Sequence, residues 1–220
     1  MITITKHKSY YLNIEYISIG LVWLLQISAL IGISLGYQQW FISKTPINLL
    51  LIFVLLIINF PISSPKSIAI TFFFFAVGML AEWIGIHGGF LFGRYSYGDS
   101  LGLKVGGVPF LIGLTWAILV LVTGVCSNHI AENRAIRMLI GAVLMVSLDF
   151  FMEASAPIFD FWTFAGNVTP LKNYMAWFVL GLLLHFVFQH SKLAGSKRFS
   201  VHVALALFLF FTYFRFFYRV

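Results

Sequence analysis

A chain of 220 residues that is 60% hydrophobic and 10% charged, with mean hydropathy +0.96, lies far from the ~25% charge of a soluble domain. It reads as one integral membrane domain over residues 1–220, with no water-soluble part. The net charge of +7 is scattered through loops and ends, which excludes a nucleic-acid surface and fits loop topology and anionic headgroups.

The opening residues, MITITKHKSYYLNIEY, have neither the compact apolar core nor the small-residue cleavage site of a removed signal peptide. The only cysteine, Cys126, allows no internal disulfide. A membrane helix needs about 20 mostly apolar residues. That rule predicts seven spans, over 17–36, 47–60, 67–86, 108–126, 136–153, 174–190 and 200–217. The expected fold class is all-α, a polytopic membrane helix bundle. The second span is short before Pro61, so it starts earlier, tilts or fails to cross. Connections 87–107 and 154–173 are longer than the topology needs. Two spans separate them, so these two motif-bearing loops share one face. With the N-terminus inside, the inner side holds Lys6, Lys8, Lys66, Arg134, Arg137, Lys192, Lys197 and Arg198. The outer side then holds Lys44, Arg94, Lys104, Lys172, Arg215 and Arg219, a narrow bias toward a cytoplasmic N-terminus.

The acids are only Glu15, Glu82, Asp99, Glu132, Asp149, Glu153 and Asp160. Glu82 sits about one turn inside the end of the third span, on a face with Thr71, Phe75, Gly78 and Gly85. Asp149 and Glu153 end the fifth span, in LMVSLDFFMEA, and share a helix face at i,i+4. The third and fifth spans end on the same side, so the three carboxyls lie within about 5–10 Å of one boundary. An acid at a span centre costs about 2.5–3.5 kcal/mol, and less near the boundary, so their convergence needs a reason. One reading is polar glue, with Glu82 paired to Arg94 and Asp149 or Glu153 bonded to Asn173, Tyr174 or backbone. The other is a buried acid–base site, in which one carboxyl holds a proton while another stays ionised.

The six histidines form none of the H-x-x-x-H or H-x-x-H-H clusters of membrane di-iron oxygenases, so no metal site is expected. His185 lies in a stripe with Asn173, Trp177, Gly181 and Gln189 that faces the interior, where internal hydrogen bonding outweighs metal or haem ligation. No Rossmann or phosphate-loop motif occurs. The glycines of GGFLFGRYSYGD serve turns and close helix contact. DFFME resembles half of a prenyltransferase's aspartate-rich site, but the second half and a basic surround are absent. Around the two long loops cluster Trp83, Phe90, Phe92, Tyr95, Tyr97, Phe159, Phe161, Trp162 and Phe164. They serve as packing and interfacial anchors, or together as the wall of an apolar tunnel whose ring faces steady a cation.

Residues 82–120, EWIGIHGGFLFGRYSYGDSLGLKVGGVPFLIGLTWAILV, carry a Glu, a Gly-x-x-x-Gly turn, F-G-x-Y-x-Y, L-G-x-K, and V-P with a following Trp. Residues 149–178, DFFMEASAPIFDFWTFAGNVTPLKNYMAWF, carry an acid-rich helix end, a D-x-W-x-W-like stretch and P-x-x-N-Y-x-x-W-F. In both, the chain resembles the membrane-embedded carotenoid biosynthesis family, which includes γ-carotene and lycopene 1',2'-hydratases and bisanhydrobacterioruberin hydratase. It departs at His87, where a small hydroxyl residue is expected, at Ala154 for proline, and at Phe164 for tryptophan, positions that bear on substrate choice.

The resemblance implies a carotenoid 1,2-hydratase that needs no cofactor and no metal. Glu82 or Asp149 would donate the proton and Glu153 would act as base. Asp160 would hold water, or else only cap its loop. His87, Phe90, Phe92, Tyr95, Tyr97, Trp116, Trp162, Asn173 and Trp177 would surround the substrate. Arg94 is expected to pair with Asp99 or Glu82, and Asn173 and Tyr174 to cap the sixth span. Expected partners are a carotenoid such as lycopene or γ-carotene, membrane lipid and other carotenoid enzymes, but no nucleic acid. The expected location is a bacterial cytoplasmic membrane. The rival readings are a lycopene-cyclase-like protonation enzyme, a proton-coupled transporter and a lipid-binding scaffold.

Overall fold

The computed structural model describes residues 2–218, with side chains from residue 13 onward. The side chains of Lys6 and Lys8, and Arg219 altogether, lie outside the described residues, and with them part of the charge tally used for orientation. In chain order the helices are α1 (Ile2–Ser34), a short α2 (Gln38–Ile42), α3 (Thr45–Asn59), α4 (Pro65–Gly88), α5 (Phe110–Ile130), α6 (Arg134–Met152), α7 (Leu171–Ser191) and α8 (Lys197–Phe216). Six of these are long and apolar enough to cross a membrane.

Local chemistry sets several ends. Ser64 and Ser67 form a capping box around Pro65, which starts α4, and Gly89 at φ 63° stops it. Asn133 caps α6 by accepting from the Ala135 and Ile136 amides, and Ser196 caps α8 by accepting from Phe199.

The second predicted span is α3, which begins two residues earlier than expected. At 1.5 Å per residue it is about 22 Å long, and its ends lie at opposite faces. The Asn59 carbonyl accepts from the Ser196 amide at 3.0 Å, at the start of α8. Pro46, at the other end, shares a crevice with Asp99 and Ser100. Helix α5 stands at the centre, packed against α3, α4, α6, α7 and α8, and is buried along nearly its whole length. Its sequence is apolar all round, as an encircled helix must be.

The two long loops do lie on one face, because they pair with each other. Strand β1 (Tyr95–Tyr97) runs antiparallel to β4 (Trp162–Phe164), with Tyr95 opposite Phe164 and Tyr97 opposite Trp162. Between them in sequence, β2 (Lys104–Val105) and β3 (Val108–Pro109) form a hairpin turned by Gly106 and Gly107, at φ 58° and 86°. These strands were not anticipated. Their signal is short: YSY and WTF each alternate in period two and are rich in aromatic and β-branched residues.

Candidate active site

Glu82 is 4% exposed and receives three donors. Tyr95 Oη donates to Oε2 at 2.5 Å, Tyr97 Oη to the same oxygen at 2.7 Å, and Trp116 Nε1 to Oε1 at 3.0 Å. Residues 95 and 97 are two apart on β1, so both tyrosines point to the same side. Glycines within one turn make room for these donors. A Cβ at Gly78 would sit 2.5 Å from Trp116, and one at Gly85 would sit 2.6 Å from Phe92 and the Tyr95 hydroxyl. Trp116 also stacks on Trp177 of α7, with ring centroids 4.2 Å apart. Burial first, and then the neighbouring Glu82 charge, push the Tyr95 and Tyr97 phenols well above the usual tyrosine range, so both remain donors.

The second pair of acids has a different setting. Asp149 Oδ2 accepts from Asn173 Nδ2 at 2.7 Å, while Asp149 Oδ1 is buried and has no hydrogen-bond partner among the described residues. Glu153, the first residue past α6, accepts at Oε2 from Trp162 Nε1 at 3.1 Å and Thr169 Oγ1 at 3.0 Å. Asn173 Nδ2 also approaches its Oε1 at 3.4 Å. Burial pushes the Glu153 carboxyl up to about 7, against the lowering effect of the Trp162 and Thr169 bonds.

All three carboxyls line one chamber with a cavity volume of about 130 Å³, roughly ten times what a single water needs. Phe92, Tyr95, Tyr97, Trp116, Trp162, Asn173 and Trp177 line it too. Below the loops the wall reaches Gln26 of α1 and Leu119 of α5, about 12–14 Å along their helices at 1.5 Å per residue. The chamber is therefore acidic near its loop-covered end and mostly apolar below, with Gln26 and Asn48 as polar exceptions.

Several expected residues stand elsewhere. His87 is exposed and its Nδ1 lies 2.9 Å from the Trp83 carbonyl. Phe90 is 69% exposed. Neither lines the chamber: the last turn of α4 carries His87 outward, and Phe90 follows the left-handed Gly89 that ends the helix. Asp160 is also outside. At φ 54°, it turns its Oδ2 to accept from the Asp99 amide at 2.8 Å and from the Ser100 amide and hydroxyl at 3.1 Å. Of its two expected roles, the geometry gives it loop-holding.

The pairings differ as well. Asp99 pairs with Lys104 at 2.7 Å, and exposed Arg94 forms no ion pair among the described residues. Asn173 does not cap α7, whose N-cap is Pro170; it points inward to the carboxyls. Tyr174 packs on Phe150 instead, at 5.9 Å between centroids. His185 is fully buried and bonds internally, its Nε2 2.9 Å from Thr123 Oγ1 and its Nδ1 2.7 Å from the Gly181 carbonyl. Among the described residues no three His, Cys, Asp or Glu side chains are arranged to hold a metal ion.

Among the wall and site residues not anticipated are Thr169, Gln26 and Asn48. Thr169 has no distinguishing sequence signal. Gln26 and Asn48 did carry one, weaker than that of an acid, since an amide in an apolar span needs a hydrogen-bond partner.

A family model described as carotenoid biosynthesis protein matches residues 45–220. No curated protein and no solved structure matches the chain.

Proposed function

The chain belongs to the carotenoid biosynthesis protein family, and we propose that it adds water across the terminal C1=C2 bond of an acyclic carotenoid end, giving a tertiary alcohol. The observation that carries this reading is the contrast between carboxyls in one apolar chamber. Glu82 has three donors on its two oxygens, a setting suited to the acceptor-only carboxylate. Asp149 has one buried oxygen with no partner among the described residues, where a carboxylic acid can carry its proton toward the substrate.

Asp149 protonates C2 of the alkene, leaving a tertiary cation at C1. The ring faces of Trp116 and Trp177, together with the fixed Glu82 charge, stabilise that cation. Water bonds to C1 through its oxygen, and Glu153 accepts the released proton. A proton passing from Glu153 to Asp149, its i,i+4 neighbour, resets the pair. The sum is alkene plus water giving alcohol. The aromatic wall keeps the cation from bulk solvent, which favours one product. The substrate class is an acyclic carotenoid such as lycopene or γ-carotene, which dissolves in the bilayer around the bundle.

The test is expression in a bacterium that accumulates lycopene or γ-carotene, with mass analysis of the pigments. Products heavier by one or two waters support the reading, and Asp149→Asn should abolish them while the protein still accumulates in the membrane. Products of unchanged mass would point to cyclisation and refute it.

A further inference from the structure

Hydration needs water inside a chamber that is otherwise oily, and the three carboxyls do not explain where that water enters or waits. Two independent features address this. The first is a crevice of about 810 Å³ on the loop face, with Gln38, Ser43, Asp99, Ser100 and Asp160 among its walls. Ile42 and Phe159 line both this polar crevice and the acidic chamber, so these two apolar side chains form the partition between them. The partition is held in place from α2. Gln38 Nε2 donates to the Ile158 carbonyl at 3.0 Å, and Tyr218 Oη donates to Gln38 Oε1 at 3.1 Å.

The second feature lies past that partition. Asn48 lines the chamber one turn beyond Thr45 on α3, and its Oδ1 is buried without a partner among the described residues. Gln26 on α1 also lines the chamber, is 6% exposed, and makes no side-chain hydrogen bond among the described residues. A buried acceptor left unpaired, as Asn48 Oδ1 is among the described residues, is destabilising. A small hydroxyl ligand able both to donate and to accept satisfies that oxygen and bonds the Gln26 amide, and water is the one the reaction consumes.

We propose that water enters the chamber from the crevice past Ile42 and Phe159 and is held on the α1–α3 wall by Asn48 and Gln26. These residues thereby set whether the cation is captured by water or gives its proton back. The proposal rests on the hydratase reading. In the capture route the water oxygen bonds to C1 and one water proton goes to Glu153. In the return route a C–H bond next to the cation breaks, its proton goes to a carboxylate, and the alkene re-forms.

Heavy water separates the routes, because the acid then delivers deuterium and the return route leaves deuterium in recovered alkene. Full-length protein in membranes is given an acyclic carotenoid in heavy water, and mass spectrometry reads hydrate and deuterated alkene together. The variant Gln26→Leu with Asn48→Leu should lower the hydrate-to-deuterium ratio roughly tenfold, as expected for lost hydrogen bonds to the nucleophile. Ile42→Phe should lower the ratio by thickening the partition, and Ile42→Ala should raise it. Because Ile42→Ala only removes bulk, it reports even if the double variant folds poorly.

A wild-type ratio in all these variants overturns the proposal. So does a joint fall of hydrate and deuterium in a folded double variant, which would assign the amides to substrate binding. If wild-type protein yields neither hydrate nor deuterium, the hydratase reading itself fails. A wild type that makes hydrate at an unmoved ratio defeats only the water route.

Discussion

Replacing Glu82 by glutamine keeps the shape of the side chain and removes its charge. In the structure that charge is met by donors at 2.5, 2.7 and 3.0 Å from Tyr95, Tyr97 and Trp116. A hydrogen bond to an ionised acceptor is worth about 1 kcal/mol more than one between neutral groups. Three such bonds therefore put about 3 kcal/mol of electrostatic preorganisation at stake. If the cation is stabilised by that charge, Glu82→Gln slows hydrate formation about 100-fold, each 1.4 kcal/mol being a factor of ten. Tyr95→Phe or Tyr97→Phe alone should cost about fivefold, from roughly one such bond each. Their effects should not add to that of Glu82→Gln, because all three act on one group. The assay is initial rate of hydrate formation in membranes holding equal amounts of folded protein. A Glu82→Gln variant that runs at nearly the wild-type rate would refute the reasoning.

Glu153, pushed up to about 7 by burial, must be ionised to accept a proton, so activity should rise with pH through about 7 and fall away below it. Trp162→Phe removes a donor to the ionised form and should move that midpoint upward by up to about one unit, read from a rate–pH profile; an unmoved midpoint would exclude Glu153 as the base. Gly85→Ala places a methyl against Phe92 and the Tyr95 hydroxyl and should destabilise by about 1–3 kcal/mol, measured by thermal unfolding in detergent, with activity falling as Tyr95 is displaced from Glu82. Asp160→Ala frees the Asp99 and Ser100 amides and should cost about 1–2 kcal/mol of loop stability. That variant should retain measurable hydration at low temperature, unlike Asp149→Asn.

The strength of each sequence signal matched its physical cost. Acids in apolar helices are expensive, so Glu82, Asp149 and Glu153 stood out, and helix direction alone placed them at one depth. The aromatic residues were numerous and inexpensive to bury, so composition could not separate those lining the chamber from those facing lipid. Trp116 and Trp177 point inward, whereas His87 points out from the last turn of α4 and Phe90 lies exposed just past the Gly89 stop. Asn173 sat in a motif that also suited a helix cap, and only the approach of α7 to α6 turned it into a donor for Asp149.

The helical class, the six long spans, the shared face of the long loops and the similar depth of the carboxyls were legible in the sequence, which left open whether the short second span crosses. Hydropathy and helical rise are local properties, and the alternation of span direction follows from connectivity. The β1–β4 pairing, the three donors on Glu82, the unpartnered oxygen of Asp149 and the cavity that joins them were decided by tertiary structure. Each depends on side chains from distant segments meeting at hydrogen-bond distance, and that is set by how the helices pack around α5.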